Sequence, residues 1–157
     1  RETLAANNAP FQEAVFGPGP GVLAGVGEPL ATSHLAPLLA GRKRAGFGIT
    51  EPDDAPAPTR ARIDGDWLVI DGQKSYVTGG ADADFINTLV QIDGQGPALV
   101  VIDTDLPGVR LTRRFSSIDG SHHAAFAFDA VRVPATHVIG KPGEGMPRAM
   151  RQIGDTR

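Results

Sequence analysis

Arg60-Ala61-Arg62-Ile63-Asp64-Gly65-Asp66-Trp67-Leu68-Val69-Ile70-Asp71-Gly72 is the stretch that decides the fold. Arg60 to Asp64 alternates, Asp64-Gly65-Asp66 offers a tight turn, and the bulky run Trp67 to Ile70 leads to a second Asp-Gly pair. A glycine after an aspartate tolerates the positive φ of a hairpin turn, so the stretch predicts two antiparallel strands. Downstream, Gln73–Thr78, Phe85–Ile92, Ala98–Ile102, Val109–Thr112, Ala124–Phe128 and Val131–Pro134 read as further strands, with Asp93-Gly94 as another turn. Short strands at close, regular spacing with no helix between them predict a mainly β fold, a small antiparallel barrel or sandwich, and argue against a doubly wound sheet.

Short helices flank this zone. Pro29 to Gly41 has leucines near helical spacing and a glycine stop, and Pro37 predicts that the helix is kinked or split into two turns. Arg1 to Ala6 reads as the end of a helix and Phe16-Gly17-Pro18-Gly19-Pro20-Gly21 as loop. Met146 to Ile153 opens a helix that the chain does not finish, with Arg148 and Arg151 one turn apart on one face. The expected organisation is therefore a helical remnant over 1–45, a β-domain over 46–141 and the start of a further helical domain over 142–157.

The bulk composition narrows the function. With 157 residues, 41% hydrophobic and 21% charged, the chain suits one soluble globular domain rather than a disordered segment. A net charge of −3 and a pI near 5.7 argue against a nucleic-acid binder, and Arg42-Lys43-Arg44 reads as a solvated cluster. The absence of cysteine rules out disulfides and thiolate metal sites and fits a reducing, cytoplasmic setting. No apolar run approaches the roughly 18 residues that a membrane helix needs. A chain that starts at Arg1 without an initiator Met reads as processed, engineered or partial.

Several chemically suggestive motifs have a plainer reading. The Gly17–Gly21 run is broken by prolines and follows no strand, so it is not a phosphate cradle. His122 and His123 are adjacent and would point to opposite faces of a strand, so no metal site is expected there. Asp53-Asp54 sits in a Pro- and Ala-rich loop, and no catalytic triad can be inferred. Tyr76 and Thr78 are common strand residues and, taken alone, read as one face of a sheet.

Three blocks together carry more. Gly46-Phe47-Gly48-Ile49-Thr50-Glu51-Pro52 is followed by Asp71-Gly72-Gln73-Lys74-Ser75-Tyr76-Val77-Thr78-Gly79-Gly80, and then by Phe128-Asp129-Ala130-Val131-Arg132-Val133-Pro134 running on to Ile139-Gly140. In this order and spacing they resemble the middle domain of the acyl-CoA dehydrogenase family, whose blocks read F-x-[LI]-T-E-P, N-G-x-K-x-[WY]-I-T-N-G and F-x-x-V-x-V-P. Gly27-Glu28-Pro29, Leu35 to Gly41 and the terminal Asp155-Thr156-Arg157 extend the likeness over roughly residues 25 to 157.

The resemblance implies an FAD-binding β-domain of an enzyme that desaturates acyl thioesters. Backbone groups of Phe47, Gly48, Ile49 and Thr50, the Thr50 hydroxyl, and the Tyr76-Val77-Thr78 strand would face the flavin. Tyr76, in place of the frequent Trp, would lie against the ring, and the Thr78 hydroxyl would point toward N5. Arg157 matches an arginine that helps hold the CoA nucleotide. No catalytic residue and no metal ligand is expected in the chain, because the family's proton-abstracting glutamate belongs to its C-terminal helical domain. The chain alone is expected to be inactive and to hold FAD weakly. Its parent would be a homo-oligomer that passes electrons to a redox acceptor.

One departure matters. The family follows T-E-P with x-x-G-S-D, whose serine touches the acyl-CoA, whereas this chain has Asp53-Asp54-Ala55-Pro56-Ala57-Pro58-Thr59. Thr59 is the only hydroxyl left there as a substrate candidate. The altered loop keeps open a degenerate middle domain acting as a binding or scaffold module, and a related flavoprotein oxidase or monooxygenase is a third reading.

Overall fold

The computed structural model describes residues 19–116 and 122–155. Its strands are β1 Ala45–Gly48, β2 Arg60–Asp64, β3 Trp67–Thr78, β4 Phe85–Ile92, β5 Gly96–Asp103, β6 Val109–Ser116, β7 His122–Pro134 and β8 Val138–Ile139. They form one sheet in the order β6-β7-β3-β1-β4-β5-β8, with β2 bridging β3 and β4 off that path.

The mainly β class stands, but the architecture differs from a small antiparallel barrel in two ways. β1 and β2 each run parallel to β4, so the sheet is mixed. Among the described residues β6 and β8 end the order without pairing to each other, so the sheet curls around its core without closing.

The decisive hairpin forms as expected: Arg60 to Asp64 pairs with Asp71 back to Trp67 in unbroken antiparallel register around Gly65. Asp71-Gly72, however, is not a turn. β3 runs straight through it, and Gly72 is glycine for a different reason. Its φ is 144°, and a Cβ there would stand 2.6 Å from Thr59 Cα, closer than a side chain can be accommodated. The two strands predicted over 124–134 are likewise one strand, β7, with a bulge at Ala130, whose φ is 48°. There the step from Ile70 to Gly72 on β3 faces the longer step from Val131 to Phe128 on β7, and the Ala130 N–H donates to Asp71 Oδ1 at 2.7 Å. Aspartate and glycine that look like turn chemistry in the sequence are here bulge chemistry.

Two apolar layers explain the patterning. Inside the curl lie Leu68, Ile70, Val77, Ile86, Val100, Ile102, Phe126 and Val131. On the outer side of β4 and β5, Phe85, Leu89, Leu99 and Val101 pack with Val22, Leu23, Leu30, Leu38 and Ala149 from the flanking segments. β5 is buried on both faces, which is why its sequence is a continuous apolar run rather than an alternation. Each large side chain so buried contributes about 1.5–3 kcal/mol, so the outer layer holds the helices to the sheet.

The predicted split at Pro37 is present. A π-helix, Ala31–Leu35, runs into the short α-helix α1, Ala36–Leu39. The Ala36 N–H reaches the Ala31 carbonyl, one residue beyond α-helical spacing. Pro37 has no N–H to donate and its ring crowds the preceding turn, and the wider turn before it accommodates both. The closing helix α2, Gly145–Asp155, docks through Arg148, which donates to the carbonyls of Val22 (2.9 Å) and Ala24 (2.6 Å). Arg151 on the same helix is exposed. The expected helix end at Arg1–Ala6, the first half of the Phe16–Gly21 loop (16–18) and Arg157 lie outside the described residues.

Candidate functional site

The segments singled out by the sequence lie side by side. Phe47 on β1 is the partner of Thr78 on β3, and the Ser75 N–H donates to the Thr50 carbonyl at 2.9 Å. Thr50, Tyr76 and Thr78 are all exposed, with Tyr76 at 61%. The Val77 side chain is fully buried, so only its backbone is available to a ligand.

A second bulge produces this exposure. Leu68, Ile70 and Lys74 point inward, and strict alternation would send Tyr76 and Thr78 inward as well. Between the pairs Lys74–Phe126 and Val77–Ala124, β3 uses one residue more than β7, and Tyr76 takes up the surplus with a φ of 53°. The extra residue reverses the parity: Val77 enters the core and Tyr76 and Thr78 turn outward together. A left-handed backbone at a bulky residue costs of the order of 1–2 kcal/mol, and strain of this kind gathers at functional sites.

Beneath this surface is a charged network that the sequence did not reveal. Lys74 is 1% exposed, and its Nζ donates to the Ile49 carbonyl (3.0 Å) and to Glu51 Oε1 (2.9 Å). Glu51 Oε1 also accepts the Thr59 N–H at 2.7 Å. Burial pushes the Glu51 carboxyl up, but the Thr59 N–H and the Lys74 ammonium outweigh it and hold the group below its ordinary value. Burial pulls Lys74 below its ordinary value, and Glu51 offsets part of that. The pair therefore anchors the turn after Thr50 from within. Lys74 stood in one of the family-like blocks, but its inward direction could not be read there.

Thr59 does not fit the role of a substrate hydroxyl. It is 1% exposed, and its Oγ1 donates to the Gln73 carbonyl at 3.0 Å. It is consumed in joining the loop to β3. Glu51 is likewise engaged by Lys74 and Thr59. Arg157 is outside the described residues.

Phe115 belongs to the surface although the sequence did not point to it, because the strand predicted there stopped at Thr112. It stacks on Tyr76 with ring centroids 4.8 Å apart and planes at 25°. The Arg113 guanidinium lies 4.9 Å from the Phe115 centroid, and Arg110 and Arg114 are exposed on the same strand. Phe47, Thr78, His123 and Phe115 occupy one row across β1, β3, β7 and β6. The outcome is an exposed aromatic stack flanked by two outward threonines beside a cationic edge strand. Such a surface fits a planar heteroaromatic ring with a polar rim, and the arginines suit an anionic group attached to it.

No family model matches the chain. It is 33% identical over 149 residues to an acyl-CoA dehydrogenase of Mycobacterium tuberculosis, a match that covers 88% of this chain and 38% of that protein. The crystal structure of a probable acyl-CoA dehydrogenase from Mycobacterium abscessus superposes with a TM-score of 0.75 at 35% identity, covering 85% of this chain and 38% of that one. The acyl-CoA dehydrogenase of Geobacillus kaustophilus gives a TM-score of 0.74 at 27% identity, with the same coverages of 85% and 38%. The chain thus spans well under half the length of the relatives it matches.

Proposed function

The chain belongs to the acyl-CoA dehydrogenase family over the stretch it shares with these relatives, and from that membership we propose that it supplies the flavin-facing wall of an FAD-dependent acyl-thioester α,β-dehydrogenase. One observation carries the reading: the β3 bulge turns Tyr76 and Thr78 outward beside Thr50, next to the stacked Phe115. Tyr76 offers its ring face to the isoalloxazine, and the Thr50 and Thr78 hydroxyls offer hydrogen bonds to its polar edge. Phe47, Gly48 and Ile49 hold the Thr50 turn at the right height. The bound flavin would accept a hydride from the β-carbon of the acyl thioester and pass the electrons to a separate acceptor. The carboxylate that takes the α-proton comes from outside this chain, because Glu51, beside Thr50, is locked to Lys74 and Thr59. The chain by itself is then inactive, and the working protein is an oligomer that covers the exposed Leu39, Trp67, Leu111 and Met150.

A non-catalytic binding module is the second reading, favoured by the internal use of Thr59, which leaves the loop after Pro52 without an obvious acyl-binding hydroxyl. The visible spectrum of the longest polypeptide carrying this chain, with FAD added, separates the two. Dehydrogenase function predicts a flavin spectrum bleached by an acyl-CoA, weakened binding in Tyr76→Ala, and an altered flavin potential in Thr78→Val. A protein that stays colourless with excess FAD defeats the dehydrogenase proposal and leaves the binding module. Bleaching coupled to rapid oxygen consumption indicates an oxidase instead.

A further inference from the structure

Apart from the Tyr76 surface, His34, Asp103 and His137 converge from three distant segments: the π-helical turn, the end of β5 and the 3-10 turn Ala135–His137. One ligand atom of each lies within 4.8 Å of the others. His34 is buried and the other two are partly exposed.

The hydrogen bonds to Ser33 and to the Val101 carbonyl fix which imidazole nitrogens keep a lone pair. Ser33 Oγ donates its single proton to the Pro29 carbonyl at 2.8 Å. It can then only accept from His34, at 2.8 Å, so His34 Nδ1 carries a proton. That directs His34 Nε2 at Asp103 Oδ1, 3.1 Å away. A carboxylate has no proton to give, so the contact is favourable only with a positive group between them, either a second imidazole proton or a metal ion. His137 Nδ1 faces the Val101 carbonyl at 3.1 Å and must donate to it, which leaves Nε2 with a lone pair. Each histidine thus already has the contact that orients a ligating imidazole through its other nitrogen.

We propose that His34 Nε2, His137 Nε2 and the Asp103 carboxylate form a three-ligand site for a zinc-class transition-metal dication, with water completing the shell on the exposed side. Two imidazoles with one carboxylate suit such ions and disfavour magnesium or calcium. Bonds of about 2.0–2.1 Å at a tetrahedral ion place donors roughly 3.3 Å apart, so the His34–Asp103 pair is already spaced for it. The third donor must close in, a small movement for the partly exposed His137. Lys43 competes: its Nζ lies 3.5 Å from Asp103 Oδ1, and its long, partly exposed side chain can withdraw as the ion enters. The bound ion would tie the π-helical turn to the end of β5. The site does not depend on flavin binding.

Cobalt titration of the metal-free 157-residue chain, followed by visible absorption and by competition with zinc, tests this. One equivalent should saturate the band. His137→Gln and Asp103→Asn should each weaken binding about ten-fold or more, whereas Lys43→Met should tighten it several-fold. His122→Gln/His123→Gln should bind as the wild type does. His137 is partly exposed, so its variant keeps the test valid if Asp103→Asn fails to fold. Absence of saturable binding below about a millimolar overturns the proposal. So does wild-type affinity in His137→Gln or Lys43→Met, or lost binding in the His122/His123 variant. Cobalt binding by this chain, with no flavin spectrum from the longest polypeptide in excess FAD, would defeat the flavin reading alone.

Discussion

Lys74 and Glu51 form an ion pair at 2.9 Å directly beneath the turn that carries Thr50. The partners are unequal: the Lys74 side chain is 2% exposed and that of Glu51 30%. Removing Glu51 strands a buried ammonium, whereas removing Lys74 leaves a carboxylate that water and the Thr59 N–H still reach. Glu51→Gln should therefore lower stability by about 3 kcal/mol and Lys74→Met by less, about 1–2 kcal/mol. Urea denaturation of the two variants measures this, and the reverse order would contradict the burial argument.

The same pair sets an acid limit. The Glu51 carboxyl is held below its ordinary value of 4.5, so the folded state releases the proton more readily than the unfolded chain. Its contribution to stability is complete above about pH 4.5 and is lost as pH falls through the lower folded value. Stability measured from pH 6 to pH 3 should fall less steeply in Glu51→Gln than in the wild type.

Thr59→Val keeps the shape of a buried side chain but removes the hydrogen bond to the Gln73 carbonyl. We expect a loss of about 1–2 kcal/mol in thermal or urea unfolding with unchanged binding of acyl-CoA to the polypeptide that carries this chain. A selective loss of acyl-CoA affinity without destabilisation would restore Thr59 as a substrate contact.

The paired β3–β7 bulges give opposite signs. Gly72→Ala adds a Cβ against the Thr59 backbone and should cost several kcal/mol, enough to impair folding. Ala130→Gly relieves a left-handed backbone at an exposed position, offset by the greater freedom glycine has when unfolded, and should gain up to about 1 kcal/mol. Melting temperatures of the two variants read both effects.

Tyr76 marks the boundary between what a sequence states and what it withholds. Its residue type and its place in a family-like block were plain, but its direction was not. Counting alternate residues from Leu68 sends Tyr76 inward with Lys74. The surplus residue that turns it outward is defined only against β7, some fifty residues away. The cluster of His34, Asp103 and His137 was hidden for the same reason, since its members are isolated in the chain and each is ordinary where it stands.

The amino-acid order alone determined the strand-rich class, the Gly65 hairpin, the break at Pro37 and the family-like blocks, because these follow from local backbone chemistry and short-range periodicity. The tertiary structure alone decided that β6 and β8 stay unpaired with each other among the described residues, that Asp71-Gly72 continues a strand, that Thr59 is internal, and which way Tyr76 and Lys74 face. Those outcomes depend on register between distant strands, where a single extra residue reverses every side chain beyond it.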